Sequence, residues 1–190
     1  SSTANSIVKK QEGNYFENLL TYSLKYNKLD QNYQPSDGFI SSFTQSLPLI
    51  SDDRSLENKF TSANYYSLSD NIVFSAQFYL NTINSFKDDV RISKRVYVPS
   101  RRLRGFESGK IGPKDGDQYI GGNYASSLNL SSTFPNVFFE KENIDLNFFL
   151  DMANVWEVDY NSSLDSSRIR SSTGIAINWF SGIGPLSFSY

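Results

Sequence analysis

The sequence of 190 residues contains no cysteine and no histidine. These absences exclude a disulfide framework, a zinc site built from Cys or His, a histidine-based nucleophilic triad and a thiol nucleophile. Methionine occurs once, and no apolar run approaches the roughly 18 residues that indicate a transmembrane helix. Membrane-spanning β-strands stay possible, because each needs only about 10 residues of alternating polarity.

Charge is nearly balanced, with 18 Lys and Arg against 20 Asp and Glu. A sequence pI near 5.2 argues against a protein that binds nucleic acid by neutralising phosphate. The basic residues cluster at Lys94-Arg95 and at Arg101-Arg102-Leu103-Arg104, with Asp88, Asp89 and Glu107 nearby. We interpret this cluster as a solvated loop face; alternatively, one arginine folds inward and forms a bidentate pair with a carboxylate on a polar wall.

The local sequence pattern is that of β-structure. Aromatic and small polar residues are abundant, with 15 Phe and 12 Tyr, whereas strong helix formers are few, so an all-β fold is predicted. Apolar and polar residues alternate in segments that turn residues separate, which indicates strands with one apolar face. About eight strands are predicted, at residues 20–26, 39–47, 57–68, 72–80, 124–130, 144–150, 175–179 and 186–190.

The polar positions within these strands are mostly Ser, Asn, Thr and Gln rather than charged residues. Small uncharged side chains suit the crowded interior of a transmembrane β-barrel, whereas the outer face of a soluble β-sandwich usually carries charge. The pattern therefore favours an antiparallel transmembrane barrel and leaves the soluble sandwich as the alternative.

Residues 87–121 interrupt the alternation with repeated charges and glycines, together with Pro99 and Pro113. A connection of about 35 residues is far longer than usual, and such loops are generally functional or disordered. Its glycine-rich part lacks the Gly-Lys-Ser/Thr ending of a phosphate-binding loop. Asp115 and Asp117 offer too few ligands for calcium, so we interpret them as part of a solvated turn. No sequence pattern brings two carboxylates together for catalysis, and we predict no enzymatic site.

Three motifs in this loop carry a family resemblance: Leu103-Arg104-Gly105-Phe106, then Ile111-Gly112-Pro113-Lys114-Asp115, then Ile120-Gly121-Gly122-Asn123. In this order they resemble the long sixth extracellular loop of the BamA family of outer-membrane protein assembly factors, in the superfamily of POTRA (polypeptide-transport-associated) barrels, or bacterial surface antigens. The resemblance covers about residues 15–190. Further matching stretches are Asp30, Pro35 and Gly38, Phe134-Pro135, and residues 149–156, 174–180 and 184–190.

The resemblance implies a partial barrel: residues 1–190 would form about eight strands of a sixteen-stranded antiparallel barrel. The chain begins without an initiator methionine and stops at Tyr190 inside an alternating pattern, so we expect a fragment. The POTRA domains, the first strands and the closing strand would then be absent. Residues 87–121 would form the extracellular loop that folds into the barrel lumen.

The resemblance also implies roles for individual residues. Arg104, Gly105 and Phe106 would form the loop tip, with Arg104 in contact with an acidic residue of the barrel wall, Asp151. The loop continuation and the start of the next strand would contain Gly112, Pro113, Asp115, Gly121 and Gly122. Two positions depart from the family pattern: Ser131 stands where the family usually has a second acidic wall residue, and Ala153 stands where it has glycine.

The function implied by the resemblance is the assembly and insertion of β-barrel proteins into the bacterial outer membrane. This activity makes and breaks no bond, so neither an enzymatic residue nor a cofactor or metal is expected. The expected partners are unfolded outer-membrane proteins as clients, accessory outer-membrane lipoproteins and membrane lipid, with no nucleic acid. Two alternatives stay open: a related autotransporter-assembly or two-partner secretion pore, and a passive porin-like surface barrel.

Overall fold

A computed structural model describes residues 11, 13–136, 143–182 and 184–190. The long strands are β1 (Glu17–Asn27), β2 (Gly38–Ser51), β3 (Ser55–Ser69), β4 (Ile72–Ser85), β7 (Tyr124–Phe134), β8 (Ile144–Trp156), β9 (Arg170–Ser181) and β10 (Gly184–Ser189). Two short strands, β5 (Lys114–Asp115) and β6 (Gln118–Tyr119), and the 3-10 turns Ile92–Lys94, Ser100–Arg102 and Ser162–Leu164 complete the elements. No helix in these ranges is long and apolar enough to cross a membrane.

The eight long strands form a single antiparallel sheet in the order β1-β2-β3-β4-β7-β8-β9-β10. Each strand therefore pairs with its neighbours in the chain, and only the long loop with its β5-β6 hairpin intervenes between β4 and β7. The sheet is open, with β1 and β10 at its edges. This architecture confirms the predicted all-β fold, with eight strands of a partial antiparallel barrel. The β5-β6 hairpin was not predicted, because two-residue strands leave no alternating pattern.

One face of the sheet is apolar and exposed. On β9, Ile175, Ile177 and Trp179 are 42%, 40% and 45% exposed. The register places Ile177 between Leu146 of β8 and Phe188 of β10, so the apolar side chains continue across neighbouring strands. Other large exposed side chains of the strands include Leu24, Tyr26, Phe39, Phe78, Phe148, Leu150 and Phe188. A soluble sandwich would bury this face, whereas a transmembrane barrel turns it towards lipid, so the barrel interpretation is correct.

The opposite face of the sheet is polar along much of its length, and the long loop packs against it. The buried cluster here contains residues of the sheet and of the loop in equal number. The sheet contributes Tyr79, Ile83, Ala125, Ala153 and Val155, and the loop contributes Val90, Val96, Val98, Leu103 and Ile111. The hydrophobic core of the described structure therefore lies between the loop and the sheet, not between two sheets.

Two glycines allow the loop to approach the sheet this closely. Gly112 has a φ of +95°, and a Cβ atom there would lie 2.6 Å from Cβ of Val155. A Cβ atom on Gly122 would lie 2.3 Å from the carbonyl oxygen of Trp156. Any larger residue at either position would have to move the loop away from β8.

We expect Gly112→Ala to lower the free energy of unfolding by about 2 kcal/mol, because it adds a steric clash with Val155 to an unfavourable left-handed backbone. Gly116→Ala is the matched control, since its φ is also positive (+59°) but a Cβ atom there meets nothing within 4 Å. Urea unfolding of the full-length protein in detergent measures both. Equal losses of unfolding free energy in the two variants would show that the close contact of Gly112 with β8 contributes nothing to stability.

The two faces of β9 should respond differently to the same charge. Ile177→Arg places a guanidinium on the apolar face and is expected to destabilise the membrane-inserted barrel by about 2 kcal/mol. Asn178→Arg places it one residue further along, on the polar face, where Asn178 pairs with Asp145 across the sheet. We expect this variant to fold normally into lipid vesicles. Equal folding yields for the two variants would contradict the assignment of the faces.

Candidate functional site: the loop arginine on the polar face

The candidate site centres on a bidentate ion pair between the loop and β8. Arg104 donates from Nε to Oδ2 of Asp151 and from Nη2 to Oδ1, each at 2.7 Å. The backbone N–H of Arg104 donates to the same Oδ2 at 3.1 Å. Three bonds to one carboxylate fix both the position and the orientation of the loop at this residue.

Asp151 is held from the sheet as well as from the loop. The side chain of Asn129 on β7 donates from Nδ2 to Oδ1 of Asp151 at 2.8 Å, and the same Nδ2 lies 2.8 Å from the carbonyl oxygen of Arg102. The strand register places Gln77, Asn129 and Asp151 side by side on β4, β7 and β8. The loop packs against this row of polar side chains.

The guanidinium groups of the loop also contact aromatic rings of the sheet. The guanidinium carbon of Arg104 lies 3.5 Å from the ring centre of Phe149, two residues from Asp151 on the same face of β8. Arg102 donates from Nη1 to Oε1 of Gln77 at 3.2 Å and lies 5.6 Å from the ring centre of Tyr79. Each arginine thus combines a polar partner with an aromatic face, an arrangement that holds a planar cation in a defined orientation.

Burial makes the charge of Asp151 dependent on its partners. The Asp151 side chain has no exposed surface, whereas that of Arg104 is 26% exposed. A fully buried carboxylate without a cation is strongly unfavourable, and its two oxygens here accept four hydrogen bonds in total. Loss of the loop arginine would therefore leave a buried charge without its cation.

The other residues of the tip motif direct the chain back to the core. Gly105 has a φ of +79° with open space around it, which lets the chain reverse directly after Arg104. Phe106 then packs against the buried cluster of loop and sheet. The predicted tip residues are thus adjacent to the ion pair, but only Arg104 contacts the acidic wall residue.

The motif that follows the tip supports the loop at some distance from Arg104. Pro113 is fully buried, Gly112 lies against Val155, and Asp115 belongs to the β5-β6 hairpin. Gly121 has a φ of +70°, and a Cβ atom there would clash with the ring of Tyr97. These residues shape the loop and are not brought into the ion pair.

The two departures from the family pattern have simple local environments. Ser131 shares a hydrogen bond of 2.8 Å with Ser75, its cross-strand partner on β4, so two hydroxyl groups occupy the place of an acidic wall residue. Ala153 is 3% exposed and belongs to the buried cluster. The acidic contact of Arg104 in the described structure is therefore Asp151.

A cavity of about 620 Å³ borders the ion pair. The loop contributes Arg101 and Arg104 to its lining, and the strands contribute polar side chains. The polar strand residues include Gln77, Asn129, Ser131, Asp145 and Asn147. Within the described ranges, no group of three or more acidic side chains could hold a metal ion.

Sequence reasoning missed several residues of the site and misjudged two others. Asn129, Gln77 and Arg102 were not predicted, and only the strand register, which aligns positions far apart in the chain, could have found the first two. The interpretation of the basic cluster as a solvated face is wrong for Arg95, whose side chain has no exposed surface. It is wrong for Arg104 too, for which the alternative of an inward-folded arginine is correct.

The chain is similar in sequence to curated outer-membrane proteins. The chain is 27% identical over 186 residues to the outer membrane protein assembly factor BamA of Neorickettsia risticii (strain Illinois), covering 94% of this chain and 25% of that protein. It is 30% identical over 116 residues to BamA of Neisseria meningitidis serogroup B, covering 46% of this chain and 15% of that protein. The chain thus spans about a quarter or less of the length of these curated relatives.

A solved structure shows the same fold. The crystal structure of BamA from Haemophilus ducreyi lacking POTRA domains 1-3 matches with a TM-score of 0.79 and 30% sequence identity, over 90% of this chain and 38% of that one. The family model of the Omp85 superfamily domain matches residues 1–190. This match along the whole chain establishes that the chain belongs to the Omp85 superfamily.

Proposed function

We propose that this chain is part of the membrane barrel of an outer-membrane protein assembly factor, which inserts β-barrel proteins into the bacterial outer membrane. The observation that carries the proposal is the bidentate pair of Arg104 and Asp151, at the loop and wall positions that the family resemblance assigned. The names of the curated relatives, each an assembly factor, support the same activity.

The proposed work is physical and not chemical. A client strand that enters a bilayer must satisfy its backbone N–H and C=O groups, and an open sheet edge offers them partners through β-augmentation. The barrel lowers the cost of insertion when its closing edges separate and accept client strands. The long loop, residues 87–121, lies in the lumen and keeps the wall in its working shape, since Arg104 joins it to β8.

The partners follow from this activity. Unfolded outer-membrane proteins are the clients, and lipid contacts the apolar face on which Ile177 and Phe148 lie. Accessory outer-membrane lipoproteins bind the complete assembly factor. The barrel lies in the bacterial outer membrane and acts without a cofactor.

Arg104→Ala in the full-length protein should impair both the barrel and its activity. The variant leaves Asp151 as a buried carboxylate without its cation, which costs about 3 kcal/mol. We expect the folded form to lose heat resistance on a gel and client insertion to fall severalfold in cells that depend on the variant. Both effects share one cause, the release of the loop from β8.

Lys110→Ala is the matched control, because it removes one positive charge from an exposed side chain of the same loop, six residues from Arg104. We expect its heat resistance and client insertion to match those of the unaltered protein. Normal client insertion by Arg104→Ala would contradict the proposed dependence of the activity on the ion pair. Equal losses in both variants would show that net charge of the loop matters and the ion pair does not.

A further inference from the structure

Two neighbouring cations of the long loop bind carboxylates at distant places in the sheet. Nζ of Lys94 lies 2.8 Å from Oε1 of Glu17, the first residue of β1. Nη2 of Arg95 lies 2.5 Å from Oδ1 of Asp159, in the segment after β8. Four strands separate β1 from β8 in the sheet. Lys94 and Arg95 therefore link β1 to the segment after β8, although β1 and β8 are not neighbours in the sheet.

Both carboxylates belong to the same end of the sheet. The register pairs Glu17 with Ser51 at the end of β2, and Tyr124 at the start of β7 with Trp156 at the end of β8. The long loop leaves β4 and enters β7 at this end as well. Lys94 and Arg95 thus lie across one end of the sheet, where the loop begins.

The Arg95 contact is the more buried of the two. The Arg95 side chain has no exposed surface, and its guanidinium carbon lies 4.8 Å from the ring centre of Tyr160. Asp159 also accepts a hydrogen bond from the backbone N–H of Val90 at 2.7 Å and one from Nδ2 of Asn123 at 3.0 Å. One carboxylate therefore joins the start of the loop, the end of the loop and the segment after β8.

The Lys94 contact is partly exposed but is reinforced by its neighbours. The side chains of Lys94 and Glu17 are 16% and 30% exposed. Arg91 stacks its guanidinium 3.3 Å from the ring centre of Tyr15, and the backbone N–H of Ile92 donates to Gln11 at 2.9 Å. The segment before β1 and the start of the loop are thus joined by several contacts.

The backbone after Arg95 carries this anchoring towards the loop tip. Val96 exchanges two backbone hydrogen bonds with Gly122, at 2.8 Å and 3.2 Å, so the two ends of the loop are paired. Val98 and Leu103 then enter the buried cluster, and Arg104 follows. The position of Arg104 above Asp151 depends on where this chain segment starts.

We propose that Lys94 and Arg95 form a brace across this end of the sheet, which positions the loop so that Arg104 reaches Asp151. They are positioning residues, since neither contacts the Asp151 carboxylate. This proposal deepens the proposed function, and only its consequence for client assembly rests on that function.

The test measures whether the loop leaves the wall. Leu103 is 3% exposed, so Leu103→Cys in the full-length protein reports release of the loop by its rate of reaction with a maleimide in detergent, with the labelled residue identified by mass spectrometry. We expect Arg95→Gln and Asp159→Asn to raise this rate at least fivefold, and Lys94→Gln about twofold. The control is Lys110→Gln, which removes an exposed pair with Glu107 inside the same loop and should leave the rate unchanged.

A charge exchange separates the brace from general loss of packing. In the partly exposed pair, Glu17→Lys alone should make the cysteine at position 103 react faster with the maleimide. Combining it with Lys94→Glu should return the reaction to its slow rate. The brace is refuted if Asp159→Asn and Lys94→Gln react with the maleimide no faster than Lys110→Gln. These two variants also decide the test if Arg95→Gln fails to accumulate as folded protein. Faster labelling with unimpaired client insertion would support the brace and refute the proposed dependence of client insertion on the held loop, so the two failures are distinguishable.

Discussion

The buried carboxylate of Asp151 is the constraint on which the rest of the site depends. A charge with no exposed surface needs a cation and further hydrogen bonds, and the described structure supplies these from Arg104 and from Asn129. Because Arg104 belongs to the long loop, its ion pair with Asp151 fixes the loop tip against β8. The loop in turn covers the apolar side chains, such as that of Val155, that lie on this otherwise polar face of the sheet.

This arrangement reverses the usual relation between faces and core. In a soluble β-sandwich the apolar face of each sheet forms the core, whereas here that face is exposed and the core forms on the other side, under the loop. A sheet that faces lipid cannot use its apolar face for internal packing. The loop therefore supplies the apolar partners that a second sheet would otherwise provide, and Gly112 and Gly122 allow its backbone to come close enough to do so.

The sequence predicted the strands well because a two-residue period is a local property. Alternation around Ile144–Leu150 and Ile175–Trp179 marks both the strands and their apolar faces without knowledge of any partner. The partner of Arg104 was expected only through the family resemblance, since nothing in the spacing of residues 104 and 151 brings them together. Asn129 and Asp159 escaped prediction because their roles arise from the sheet register and from a loop contact between distant segments.

The most direct test of the account is a double-mutant cycle between Arg104 and Asp151 in the full-length protein, measured as the free energy of unfolding in urea. If the loop is held by this ion pair, Arg104→Ala and Asp151→Ala should each be strongly destabilising. The double variant should lose less than the sum of both, with a coupling free energy of about 2 kcal/mol. Additive losses would contradict the account, because they would show that the two side chains stabilise the barrel independently of each other.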